Sequence, residues 1–94
     1  MIRHIVMWKF RPEETERKKE FLTGLAGLYG VIPQIRAMEI QEDTLGGNNF
    51  DAVLIADFDT AEDLLTYKND PRHKAVAAIC KAIRTDRASV DYEL

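Results

Sequence analysis

Pro71 limits the folding of this chain more than any other residue, because it interrupts a segment that otherwise reads as helix. Inside a helix a proline loses a backbone hydrogen bond and clashes with the preceding turn, at about 3 kcal/mol or more. The run Tyr67-Lys68-Asn69-Asp70-Pro71-Arg72-His73 is therefore predicted to break at Asn69-Asp70. Asp70 then caps a new helix, with Pro71 in its first position and His73 in its third, where the positive end of the helix dipole disfavours imidazolium. On one continuous helix Tyr67 and His73 would point to well-separated faces, whereas across a break they are free to serve one pocket.

The rest of the chain alternates strand and helix signals. Residues 2–10 read as a strand, with Ile2, His4, Val6, Trp8 and Phe10 on one face and Ile5 and Met7 between Arg3 and Lys9 on the other. A helix is predicted from about Glu13 to Tyr29, opened by an acidic turn, ended by Gly30, and carrying Phe21, Leu22, Leu25, Leu28 and Tyr29 at helical spacing. Within it, Gly24 and Gly27 lower helix propensity and suggest close packing or extra space. Ile35 to about Glu42 is a second, more polar strand, and residues 43–49 concentrate turn formers. Phe50–Phe58 is a third strand with two apolar faces: Phe50, Ala52, Leu54, Ala56 and Phe58 on one, Val53 and Ile55 at the centre of the other. Thr60 and Asp63 form a capping-box-like start for the helix that carries Leu64, Leu65 and Tyr67. Beyond the break, His73, Val76, Ala77, Cys80 and Ile83 share one stripe, and Arg87–Leu94 alternates as a last strand.

Strand, helix, strand, strand, broken helix, strand is the split βαβ order of an α+β, ferredoxin-like βαββαβ fold, an antiparallel sheet with helices on one face. At 94 residues the chain makes one domain, residues 1–94, near the lower size at which a core is stable alone. The helices leave the other sheet face bare. Ile5, Met7, Val53 and Ile55 on that face would contribute about 1.5–3 kcal/mol each if fully buried, so a face-to-face homodimer is expected.

Charge and cysteine content narrow the function classes. A net charge of −3 with scattered basic residues argues against nucleic acid as a partner. The apolar runs are short of the ~20 residues that span a bilayer and the amino terminus lacks a signal-peptide core, so no membrane partner and a cytoplasmic location are expected. Cys80 is the one cysteine, and two histidines with dispersed carboxylates give no metal-ligand spacing, so neither a metal nor another cofactor is expected.

From end to end the chain resembles the Dabb family, the stress-responsive dimeric α/β-barrel domains. The resemblance rests on His4-Ile5-Val6-Met7-Trp8-Lys9-Phe10, Ile32-Pro33-Gln34-Ile35, the strand to Phe58, the Tyr67–His73 segment and Val90-Asp91-Tyr92. It implies that the sheets of two protomers form a barrel, with a pocket between each sheet and its helices. The family spans stress-induced plant proteins, bacterial proteins of unassigned role and a few polyketide-type cyclases. In a plant cyclase of the family the catalytic pair corresponds to Tyr67 and His73, and a pocket histidine to His4. A further pocket histidine of that cyclase is replaced here by Ala52, and the histidine before the proline by Asp70.

Three readings of the pair follow. In the plainest, which sequence alone favours, Tyr67 and His73 are buried polar residues satisfied by each other or by backbone, holding the break in place. In the second, an apolar pocket lined by His4, Trp8, Leu54, Tyr67 and His73 holds a small hydrophobic molecule without changing it. In the third, a cofactor-free cyclase or lyase uses His73 as general base and Tyr67 as hydrogen-bond donor to a carbonyl or developing enolate. A cofactor-free oxygenase is a further alternative, on analogy of fold alone.

Overall fold

The computed structural model describes all residues, Met1–Leu94. Its elements are β1 (Ile2–Phe10), α1 (Thr15–Ala26), β2 (Ala37–Glu42), β3 (Ala52–Phe58), α2 (Ala61–Asn69), α3 (Pro71–Ile83) and β4 (Arg84–Glu93). The strands form one antiparallel sheet in the order β2-β3-β1-β4, the ferredoxin-like α+β arrangement with its second helix in two pieces.

Register decides what each face carries. Val6 pairs with Leu54 and Trp8 with Ala52, and these four are buried under the helices with Phe10, Ala56 and Phe58. Phe21 of α1 meets Trp8 edge-on at 5.0 Å and Phe10 at 6.0 Å, seating the helix on the sheet. Ile5 pairs with Ile55 and Val90, and Met7 with Val53 and Ala88, so these side chains share the face that no helix covers. None of the six is buried in the protomer. On that same face Asp57 accepts both Nε and Nη2 of Arg3, at 2.9 and 3.0 Å.

Several boundaries differ from the sequence reading. The first helix is shorter than 13–29. The Arg11 N–H bonds the Ile83 carbonyl and the Glu14 N–H the Arg11 carbonyl, which keeps residues 11–14 in a turn. At the other end Gly27 caps the helix, Gly30 at φ 84° completes the turn, and Tyr29 is 54% exposed rather than part of the core. Leu65 is 57% exposed on the outer face of α2. Phe50 lies before β3, β2 begins at Ala37 rather than Ile35, and the last strand begins at Arg84 because α3 runs straight into it. Gly24 is a close approach: a Cβ there would stand 3.4 Å from a Val76 methyl, bringing α1 against α3. Thr60 Oγ1 accepts the Asp63 N–H at 3.1 Å, which fixes the start of α2. No helix is long and apolar enough to cross a membrane.

Candidate functional site

The site is built on the helix break. α2 ends at Asn69 and α3 begins at Pro71, with the Asp70 carboxylate accepting the Arg72 N–H at 2.8 Å. The Arg72 guanidinium also grips that carboxylate, through Nε at 2.9 Å and Nη2 at 2.8 Å, and holds its pKa down to about 2. The break leaves the Lys68 carbonyl unclaimed by the helix. Pro71 has no N–H to offer it, and the next N–H, that of Arg72, is already given to Asp70. His73 Nδ1 takes up that carbonyl at 3.2 Å. Since a carbonyl only accepts, Nδ1 carries the proton and the lone pair of the neutral ring lies on Nε2. Burial pushes the His73 pKa below its ordinary value, which favours that neutral ring.

His4 is pinned in the same manner from the sheet. The pairing of β1 with β4 sets His4 opposite Asp91, whose carboxylate accepts from Nδ1 at 2.5 Å. His4 is 3% exposed, and its pKa is lowered, chiefly by burial and further by Lys68 and Arg87, against the opposing pull of Asp91. Burial pushes Asp91 upward, but His4 and Lys68, the latter with Nζ at 3.7 Å, together hold it below its usual value. Neutral imidazole donating to ionised carboxylate satisfies both directions.

Tyr67 lies between the two histidines. Its ring centroid is 4.4 Å from that of His73, 6.4 Å from that of His4 and 5.1 Å from that of Phe58. The residue is fully buried, and its hydroxyl has no hydrogen-bond partner. Burial raises the phenol's pKa, so it stays a donor. A buried hydroxyl without a partner costs about 1–3 kcal/mol, and Tyr67 and His73 meet ring to ring rather than through a hydrogen bond. Of the two kinds of partner that the plainest sequence reading allows, each other or backbone, His73 has the backbone one and Tyr67 has neither.

A cavity of about 640 Å³, within the range of small-molecule sites, opens between the sheet and the junction of α2 with α3. His4, Trp8, Leu54, Tyr67 and His73 all border it, with Val6, Phe21 and Leu25 adding apolar wall. Cys80 also lies in the wall, buried, its thiol pushed up in pKa by desolvation. No group of three or more His, Cys, Asp or Glu side chains is gathered for a metal ion.

Sequence reasoning missed Asp91 and the lysines and arginines at the mouth. In β4 the period-2 alternation separates Ser89 and Asp91 from Ala88, Val90 and Tyr92, but only pairing with β1 shows which set faces the helices. It is the polar set.

A family model described as Stress responsive A/B Barrel Domain matches residues 2–94. A dimeric protein of unknown function and ferredoxin-like fold from Bacteroides fragilis superposes with a TM-score of 0.85 at 28% identity, over 99% of this chain and 95% of that one. A dimeric ferredoxin-like protein of unknown function from Thermobifida fusca gives a TM-score of 0.87 at 27% identity, over 99% and 90%. Hydroxynitrile lyase from Passiflora edulis gives a TM-score of 0.87 at 16% identity, over 99% and 92%, a likeness of fold. No curated protein matches the chain by sequence.

Proposed function

This chain belongs to the stress-responsive A/B barrel (Dabb) family, and from that premise we propose that it is a homodimer that binds a small, largely apolar carbonyl compound in each protomer's cavity. The observation that carries the reading is the Tyr67 hydroxyl, a buried donor with no acceptor, beside a cavity of ligand size. A ligand oxygen would relieve it. The homodimer is supported by the bare sheet face and by the relatives from Bacteroides fragilis and Thermobifida fusca, both described as dimeric. Ile5, Met7, Val53 and Ile55 lie at the centre of that face, and a two-fold contact buries the patch from both partners, which offsets the cost of association. Val53→Asp or Ile55→Lys is expected to give monomer or aggregate in light scattering; an unchanged dimer would move the interface elsewhere.

A second reading, cofactor-free acid–base catalysis, is favoured by the tautomer of His73. Nε2 has the lone pair needed to take a proton alpha to a carbonyl, and the neighbouring Tyr67 phenol would donate to the oxygen on which charge develops. The fold also hosts a lyase, the Passiflora edulis enzyme. The test is Tyr67→Phe and His73→Gln assayed against polyketide-like carbonyl compounds. For catalysis, turnover present in the wild type falls by about 10²–10⁴ in each variant with the fold intact. Binding without chemistry predicts a weakened complex and no turnover in any of the three proteins.

A further inference from the structure

We propose that the occupant of this cavity is an organic anion, an apolar body with a carboxylate or phosphate head, held with the body against Trp8, Phe21 and Leu54 and the head at a cationic mouth. The proposal rests on the ligand-binding reading of the cavity and adds the charge of the ligand to it.

The chain as a whole is acidic, with 16 Asp and Glu against 13 Lys and Arg. The cavity inverts that balance. Of its 15 lining residues five are cations, Lys68, Lys74, Lys81, Arg84 and Arg87, and none is acidic. Asp91, on the covered face of β4, is already engaged by His4 and by Lys68. The other four cations have no carboxylate within ion-pair distance; the chain's ion pairs lie elsewhere, at Arg3–Asp57, Lys18–Glu42, Arg36–Asp59 and Arg72–Asp70.

Topology explains the clustering. Lys74 and Lys81 are two helical turns apart on α3, hence on one side of it. Arg84 stands opposite Phe10 and Arg87 opposite Trp8 in the ladder, so both leave the sheet on its helix-covered face. β4 is an edge strand. The four charges thus come from the two walls of one opening, and four like charges brought together raise each other's energy unless an anion joins them. The opening is on the helix side of the sheet, so a partner on the bare face would not cover it. A cationic rim over an apolar floor selects for charge at one end of a ligand and for hydrophobic area at the other.

The probes are 2-naphthoate, 2-naphthyl phosphate and the neutral ketone 2-acetonaphthone, which share one aromatic body, titrated into the intact protein by calorimetry at low and high salt. The expected result is that at least one anion binds about 10-fold or more tightly than the ketone at low ionic strength, with the gap narrowing as salt rises. The tighter of the two anions names the head group. In the double variant Lys81→Gln/Arg84→Gln the ketone's affinity should be unchanged while the anion's falls toward it. Equal affinities for ketone and anions in the wild type would overturn the charge assignment and leave the cavity as a binding site. Anion binding untouched in the double variant would place the anion off this rim and overturn the proposal. If none of the three binds, the ligand-binding reading falls and this inference with it.

Discussion

β3 and β4 flank β1 on either side and both run antiparallel to it, yet the faces they turn toward the helices have opposite chemistry. β3 presents Ala52, Leu54, Ala56 and Phe58, none more than 4% exposed. β4 presents Arg87, Ser89 and Asp91, all exposed. A strand whose covered face is apolar is packing a core; one whose covered face is polar is lining an opening. On the bare face the two strands agree, with Val53 and Ile55 from β3 and Ala88, Val90 and Tyr92 from β4. The difference is therefore confined to the helix side, where the cavity is.

The largest effect that separates the two strands is on stability. Phe58 is fully buried against Tyr67, so Phe58→Ala should lower the free energy of unfolding by about 3–5 kcal/mol in urea titrations. Arg87→Gln, on the covered face of β4, should stay within about 0.5 kcal/mol of wild type. A large loss at Arg87 would mean that β4 is packed like β3 and that the polar face is not an opening.

Tyr67→Phe comes next and has the opposite sign. Its hydroxyl is buried and without a partner, so its removal should stabilise the free protein, by up to about 1–3 kcal/mol, while weakening ligand binding or turnover. Destabilisation would show that the hydroxyl is satisfied in solution, returning Tyr67 to the role of a structural residue.

Some of this is written locally and some is not. The break at Asp70-Pro71 was legible because proline chemistry acts within a few residues, and Thr60 announced α2 for the same reason. That Ile5 and Met7 share a bare face with Val53 and Ile55 followed from two strands that are apolar on both faces, whereas their register did not. Asp91 did not follow, because its partner His4 lies 87 residues away and the pair depends on the register of a ladder that no local signal specifies. The anchoring of His73 was hidden as well. The helix dipole suggested a neutral ring, but the burial that lowers its pKa and the stray Lys68 carbonyl that selects its tautomer are properties of the folded junction. Tyr29 was misplaced because its spacing fits a helical stripe that ends at Ala26.

The smallest expected effect is graded with pH and compares the same two sides again, since both histidines of the chain stand on the cavity side. His4 and His73 have folded pKa values below the ordinary 6.5, each chiefly through burial. In the unfolded chain they return to about 6.5, so below that pH the unfolded state binds more protons than the folded one. Stability is therefore fully present above the unfolded value and declines as pH falls from there toward the folded values. Asp91 acts in a lower window: held below 3.8 in the folded protein, it adds stability at neutral pH that is lost only as pH falls below that value and through its folded one. Between about pH 7 and pH 5 the histidines alone should set the slope. Urea midpoints across that range are expected to fall in the wild type and to fall less steeply in His73→Gln, which removes one titrating ring while leaving His4 on Asp91. A flat wild-type profile would mean that the rings are no harder to protonate in the fold than out of it, and the neutral Nε2 on which the acid–base reading depends would lose its support.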